Sequence, residues 1–206
     1  MFSARCFKKV FISFLLILSC SLSALTLDQL QSQLTTQKLI RGDFTQSKIL
    51  QMFNQPLVSN GSFLLSHQQG LIWKQINPFP VSLVLVNNKL RQQFSGQEIE
   101  VVEAKDSPMV FYFSHLFLSL FKGDLNSLES QFTMTLSGDE TTWLLHLVPK
   151  QVPLNKVFKY IEIKGKEQIE GLALIELNGD SSVITFSGIH QEQTQLTQQE
   201  TDAFKF

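Results

Sequence analysis

The residues that could do chemistry in this chain are its serines and its four histidines, and their spacing matches no recognisable catalytic motif. Ser114 and His115 are adjacent, and neighbouring side chains point apart on a helix, so this histidine cannot act as a base for this serine. Ser181 lies in NGDSS (178–182), a composition typical of a hairpin turn between two β-type segments. We therefore predict no catalytic residue and favour a binding protein over an enzyme.

Metal and cofactor sites are not indicated either. The two closest histidines, His115 and His146, are 31 residues apart, and no carboxylate cluster has a metal-ligand spacing. No glycine-rich phosphate-binding loop is present. Both cysteines, Cys6 and Cys20, lie near the N-terminus, before the predicted domain begins. The sequence predicts no metal, no cofactor and no disulfide.

The N-terminus has the pattern of a secretory signal peptide, in which basic residues precede an apolar stretch and then small residues. Those parts are Arg5, Lys8 and Lys9, then VFISFLLIL (10–18), then Ser21, Ser23 and Ala24. We predict a signal peptide over residues 1–24, a single domain over 25–206 and a periplasmic location. An alternative is lipidation of Cys20, since ILSC (17–20) is a poor match to a lipoprotein processing site.

The charge of the predicted domain argues against nucleic acid as a partner. Three of the 17 basic residues belong to the leader, which leaves 14 basic against 18 acidic residues and a formal charge of −4. Nucleic-acid binding normally depends on an excess of Lys and Arg.

Most of the domain reads as short β-type segments separated by turn residues, with Gly138-Asp139 and Asn178-Gly179 as hairpin turns. Connections this short require antiparallel pairing. One strongly curved sheet or barrel is the expected result. The eleven predicted strands are 43–50, 61–67, 71–76, 81–87, 89–95, 98–103, 131–137, 141–148, 157–164, 169–177 and 182–189.

Two helices are predicted. Thr26 and Gln29 have capping-box spacing at the start of TLDQLQSQL (26–34). The second helix, over 108–122, is apolar on most sides, and its 13 apolar-rich residues 109–121 reach only about 20 Å, too short for a hydrocarbon core of about 30 Å. Such a helix is either buried in the core or covers an apolar surface.

Fourteen of the 18 phenylalanines lie after the leader, and this aromatic load favours an apolar cavity over a filled core. Strand alternation places three pairs of side chains on a common face, which we predict to be the cavity wall. These pairs are Phe63 and Leu65, Leu71 and Trp73, and Leu83 and Leu85.

Several short motifs, in their order along the chain, resemble the LolA-type periplasmic lipoprotein carriers, as a divergent branch. The motifs are FTQSKIL (44–50), PLVSNGSFLL (56–65), GLIWKQINPFP (70–80), LVPK (147–150), FKYIEIK (158–164) and a terminal strand AFKF (203–206). The resemblance implies a mainly β fold: an incomplete antiparallel β-barrel covered by a helical lid.

The same resemblance implies a carrier that shuttles acylated lipoproteins, or another lipid, from the inner toward the outer membrane. Its partners would be an inner-membrane transporter and an outer-membrane acceptor, and the carrier would be a monomer. The implied cargo-binding residues are Phe44, Phe63, Leu65, Leu71, Trp73, Leu83 and Leu85, and the implied lid residues are Leu30, Leu34, Phe113, Leu116, Phe117 and Leu120.

One departure from the family pattern affects the lid. The best-known carriers of the family have an arginine ahead of the tryptophan strand that helps to fix the lid, whereas SHQQG (66–70) offers only His67 here. The cargo could then be a glycolipid or another acyl product. A lipidated Cys20 would instead imply the outer-membrane acceptor of the system, LolB. From another class, a periplasmic lipid hydrolase stays as the alternative function.

Overall fold

The computed structural model describes residues 24–36, 38–87, 89–103, 105–106, 108–190 and 195–205, with the side chains of residues 108–110 and 113 outside the description. The predicted signal peptide and Cys20 therefore lie outside the described residues, apart from Ala24.

Eleven strands form a single sheet, and every predicted strand is present, with its ends shifted by a few residues. Each strand pairs antiparallel with its neighbours, as the short connections require. The strands are β1 (Leu39–Ile49), β2 (Leu57–Ser66), β3 (Gly70–Asn77), β4 (Val81–Val86), β5 (Lys89–Phe94), β6 (Glu100–Glu103), β7 (Phe132–Gly138), β8 (Trp143–Pro149), β9 (Phe158–Gly165), β10 (Ile169–Glu176) and β11 (Ser181–His190).

The sheet is not closed. Its strand order is β6-β5-β4-β3-β2-β1-β11-β10-β9-β8-β7, so β6 and β7 form its two edges. The first and last strands of the chain pair at the centre, where Phe44 of β1 lies opposite Phe186 of β11. The predicted unclosed antiparallel fold is confirmed.

In the described residues, four α-helices and a short 3-10 helix (Leu154–Lys156) accompany the sheet. The α-helices are α1 (Leu27–Leu34), α2 (Pro108–Phe121), α3 (Leu125–Glu129) and α4 (Gln198–Ala203). Helix α1 begins at the predicted capping box, where the Gln29 backbone N–H donates to Thr26 Oγ1 at 3.2 Å and the Thr26 N–H donates to Gln29 Oε1 at 2.9 Å. Helices α1, α2 and α3 bury their apolar residues in one core with the concave face of the sheet.

The two ends of the sheet differ. At one end lie the β2–β3, β4–β5 and β9–β10 turns, and we name it the helix end because α1 and the end of α2 contact it. There the Gln33 side chain of α1 donates to the Lys166 carbonyl, and His67 contacts α2. The opposite end, named the loop end, carries the β1–β2 turn (50–56), the β3–β4 turn (78–80) and the β10–β11 turn (177–180).

The predicted terminal strand over 203–206 is wrong for the described residues, because Gln198–Ala203 is a helix that ends at Phe204. Thr197 and Glu200 form a capping box that starts this helix. Phe204 packs on the convex face of the sheet in a second, smaller apolar cluster with Leu39, Leu64, Ile72 and Val84.

An ion pair fixes α4 to the sheet. Arg41 Nε and a terminal guanidinium nitrogen donate to the two Glu200 carboxylate oxygens, each at 2.7 Å. These bonds to Arg41, with hydrogen bonds from Thr197, lower the pKa of Glu200 from 4.5 to about 2. Bidentate pairing of this kind is stronger than an ordinary surface ion pair.

Candidate functional site

A partly open cavity of ≈ 420 Å³ lies between the concave face of the sheet and α2. Its walls come from both halves of the sheet, and α2 contributes Phe117 and Ser114. The apolar wall residues from the strands are Leu71, Trp73, Leu83, Leu85, Leu90, Phe158, Leu174 and Ile184.

Four of the seven predicted cargo-binding residues line this cavity, namely Leu71, Trp73, Leu83 and Leu85. The pairing register explains their position, because Trp73 lies opposite Leu83 and Leu71 lies opposite Leu85 on neighbouring strands. Residues opposite one another in a sheet point to the same face.

The other three predicted residues, Phe44, Phe63 and Leu65, are buried in the core beside the cavity. Phe44 stacks on Trp73 with ring centroids 3.6 Å apart, and Phe63 lies 6.3 Å from the same ring. Phe63 lies opposite Trp73 and Leu65 lies opposite Leu71, so these side chains share the face of the wall residues and flank the cavity without lining it.

The predicted lid residues that the structure describes are all buried in the same core: Leu30, Leu34, Leu116, Phe117 and Leu120. Of these five residues, only Phe117 also lines the cavity. The side chain of Phe113 lies outside the described residues.

Aromatic rings join α2 to the sheet. Phe117 meets Trp73 edge to face, with centroids 5.9 Å apart, and Phe121 meets Phe186 at 5.2 Å. Phe121 also lies 6.0 Å from Phe63. Edge-to-face pairs contribute about 0.5–1.5 kcal/mol beyond area burial. The helix is therefore held to the concave face mainly by side-chain contacts.

The polar part of the cavity was not predicted from the sequence. Gln46, Lys48, Glu176 and Ser182 line it, and Lys48 lies opposite Ser182 one residue from the loop end of β1. The alternation of side chains along β1 could have indicated Gln46 and Lys48, since they share one face of the strand with Phe44. The cavity thus changes from aromatic and aliphatic walls to polar walls toward the loop end.

His67, in the β2–β3 turn, bonds to the end of α2. Its Nε2 lies 3.3 Å from the carbonyl oxygen of Phe121. Burial lowers the pKa of His67, the bond to Phe121 raises it, and the positive charges of Lys122 and Lys38 lower it further, with a net decrease. His67 therefore joins the β2–β3 turn to the end of α2.

The other serine and histidine side chains considered in the sequence analysis lie apart from one another. His146 Nδ1 lies 3.2 Å from Glu162 Oε1, and its ring packs on Tyr160 at 4.8 Å. Ser114 is half-buried beside the cavity, whereas His115 is exposed. Over the described part of the chain, no group of three or more His, Cys, Asp or Glu residues could hold a metal ion. Among the described helices none is long and apolar enough to cross a membrane.

A family model described as outer membrane lipoprotein carrier protein LolA matches residues 35–206. A search of curated proteins finds no match. Solved structures share the fold at low sequence identity, so they inform the architecture alone.

Three of these structures illustrate the similarity. A LolA superfamily protein from Nitrosomonas europaea is 7% identical with a TM-score of 0.49, covering 89% of this chain and 99% of that one. An outer membrane lipoprotein-sorting protein domain from Vibrio parahaemolyticus is 10% identical with a TM-score of 0.47, covering 86% of this chain and 96% of that one. The Pseudomonas aeruginosa MucA/MucB complex gives 13% identity and a TM-score of 0.50, covering 87% of this chain and 59% of that one.

Proposed function

The chain belongs to the LolA family, and on that premise we propose that it carries acylated cargo, the lipid chains of lipoproteins or another lipid, from the inner toward the outer membrane. The observation that carries the proposal is the cavity between the concave face and α2, whose apolar walls fit an acyl chain. Each CH₂ removed from water gains about 0.8 kcal/mol, so such a cavity can hold a lipid chain without any chemistry.

The polar lining gives the cargo an orientation. The acyl chain would lie against Trp73, Leu83 and Phe117, and its polar head would lie toward Lys48 and Glu176 at the loop end. Because the lining supplies one cation and one anion, it suits a head with both hydrogen-bond donors and acceptors. An amide-linked acyl group has this chemistry, because its N–H donates and its carbonyl oxygen accepts.

We propose a periplasmic, non-catalytic carrier that acts with an inner-membrane transporter and an outer-membrane acceptor. Export would depend on the predicted leader over residues 1–24. Lipidation of Cys20 would make the chain an outer-membrane acceptor instead, and mass analysis of the processed N-terminus separates the two.

Native mass spectrometry of the protein isolated without detergent, followed by lipid extraction, tests the proposal. We expect a stoichiometric acylated species bound to the wild-type chain. Isolation of an empty chain that also fails to take up a fluorescent fatty acid would contradict it.

A cavity-filling variant locates the cargo. Leu83→Trp adds volume at a half-buried position in the cavity wall, and we expect at least a tenfold loss of fatty-acid affinity because an added side chain occupies the acyl site. Val148→Trp is the matched control, since Val148 is 39% exposed on β8. Equal affinities of the two variants would place the cargo elsewhere.

A further inference from the structure

Three large apolar side chains project into solvent from two neighbouring hairpin turns at the loop end. Met52 is 82% exposed and Phe53 51% exposed in the β1–β2 turn, and Phe79 is 74% exposed in the β3–β4 turn. Strands β1 to β4 are consecutive in the sheet, so the two turns lie side by side. Clustered exposed apolar residues on the surface of a domain indicate an interaction surface.

These turns are structured by hydrogen bonds. The Phe53 N–H donates to the Leu50 carbonyl at 2.9 Å, and the Gln51 N–H donates to Asp180 Oδ1 at 2.9 Å. In the other turn, Gln75 Nε2 donates to the Phe79 carbonyl at 2.9 Å. The apolar side chains are thus held outward by an ordered backbone, which lowers the entropic cost of docking.

The charge pattern identifies the kind of surface that these turns fit. No Asp, Glu, Lys or Arg occurs from Ile49 to Trp73 or from Gln75 to Asn87. A charged side chain is costly in hydrocarbon, so charge-free tips suit insertion into a bilayer. Lys74 is exposed on β3, three residues before Asn77, and at about 3.3 Å per residue it lies roughly 10 Å below the end of this strand. At that depth a lysine meets the anionic headgroups.

We propose that Met52, Phe53 and Phe79 dock the loop end on a phospholipid bilayer, with Lys74 at headgroup level. The polar lining of the cavity, Lys48 included, lies at the same end of the sheet. Docking therefore brings the cavity to the membrane surface, where an amphiphile can pass between them. This surface is distinct from the acyl cavity, and it can exist whether or not the cavity carries cargo.

Flotation with protein-free vesicles tests the proposal. The processed wild-type protein, with its N-terminus established by mass spectrometry, is mixed with vesicles of phosphatidylethanolamine and phosphatidylglycerol. We expect it to float with them, and Met52→Ser/Phe53→Ser/Phe79→Ser to lose at least about tenfold in partitioning, because three apolar side chains no longer enter the bilayer. Val101→Ser/Leu144→Ser is the control, since both residues are exposed on strands away from these turns.

A probe at one tip measures insertion directly. Residues 24–206 contain no cysteine, so Phe79→Cys carries a single environment-sensitive dye, with Val101→Cys as its control. We expect a blue shift on addition of vesicles for the dye at position 79 alone, persisting in 0.5 M salt because the tips are uncharged.

Two outcomes would overturn the proposal. The wild-type protein could fail to float while the dye at position 79 stays unshifted. Alternatively, the shift could occur only with vesicles that contain membrane proteins, which would identify the turns as a protein contact. Fatty-acid affinity of the triple Ser variant is measured in parallel, so that failure of docking is distinguished from failure of the proposed carrier function.

Discussion

His67 links the β2–β3 turn to the end of α2. The last carbonyl groups of a helix have no partner within it, and the His67 imidazole supplies a donor to the Phe121 carbonyl. Burial keeps the pKa of His67 below its ordinary value of 6.5, with Lys122 and Lys38 adding repulsion. At neutral pH the imidazole is uncharged, and its Nε2–H tautomer donates this bond.

Replacement of His67 should make α2 easier to lift from the sheet. A neutral hydrogen bond contributes about 1 kcal/mol net, so we expect His67→Ala to take up fluorescent fatty acid about fivefold faster. Gln68→Ala, at the exposed neighbouring position, should leave the rate unchanged. Stopped-flow fluorescence measures both rates, and equal rates for the two variants would show that this bond does not hold the helix.

We expect the same residue to make opening of α2 dependent on pH. The His67 pKa is lowered in the described structure and would return toward 6.5 if α2 opened, so protonation should favour opening. The closed state is fully stabilised above about pH 6.5 and loses this contribution as the pH falls toward the lowered pKa. Uptake by the wild-type chain should therefore accelerate below pH 6.5, and His67→Ala should lack this acceleration.

At the scale of elements, α1 and α2 meet at a glycine. Gly123 follows α2 with φ +65°, and a Cβ there would lie 2.9 Å from the Gln31 carbonyl oxygen and 3.1 Å from Leu34 Cβ. The two helices approach so closely because this position has no side chain. Their contact, together with Leu30 and Leu34 in the common core, makes them one cover over the helix end.

Gly123→Ala should separate these helices. We expect a loss of about 1–3 kcal/mol in the free energy of unfolding, from backbone strain and from the clash with α1. Gly96→Ala is the matched control, because its φ of +76° imposes similar strain while nothing lies within 4 Å of the added Cβ. Urea denaturation gives the free energy of unfolding of both variants, and the difference between their losses is the contribution of the contact between the helices. Equal losses in the two variants would contradict the prediction.

The sequence predicts local elements better than it predicts which residues meet. Turn residues and alternation located all eleven strands, and Thr26 with Gln29 located α1. The C-terminal helix was missed because Phe204 and its neighbours were assigned to a strand, although Thr197 and Glu200 have capping-box spacing. Lys48 and Glu176 were missed as cavity residues because their meeting depends on the curvature of the whole sheet, which long-range pairing determines.

Across the whole molecule, the continuous sheet and helix α2 are held together by different kinds of contact. The sheet pairs strand to strand without interruption from β6 to β7, and its two edge strands do not pair with each other. In contrast, α2 is attached through aromatic contacts, such as Phe117 with Trp73, and through the His67 bond. Under the proposed carrier function, opening at α2 would separate side chains and leave the strand ladders intact, and cargo would pack where the helix side chains had packed.

Hydrogen exchange tests this division. With palmitate bound, we expect amides of α2 to exchange at least about threefold faster, because an acyl chain that enters between Phe117 and Trp73 separates these rings and loosens the helix. The central strands β1, β2 and β11 should keep their protection, because no strand pairing changes. Leu83→Trp serves as the control, since its filled cavity should leave α2 unresponsive to palmitate. Slower exchange in α2 on binding would mean that cargo fills a fixed cavity beneath a stationary helix.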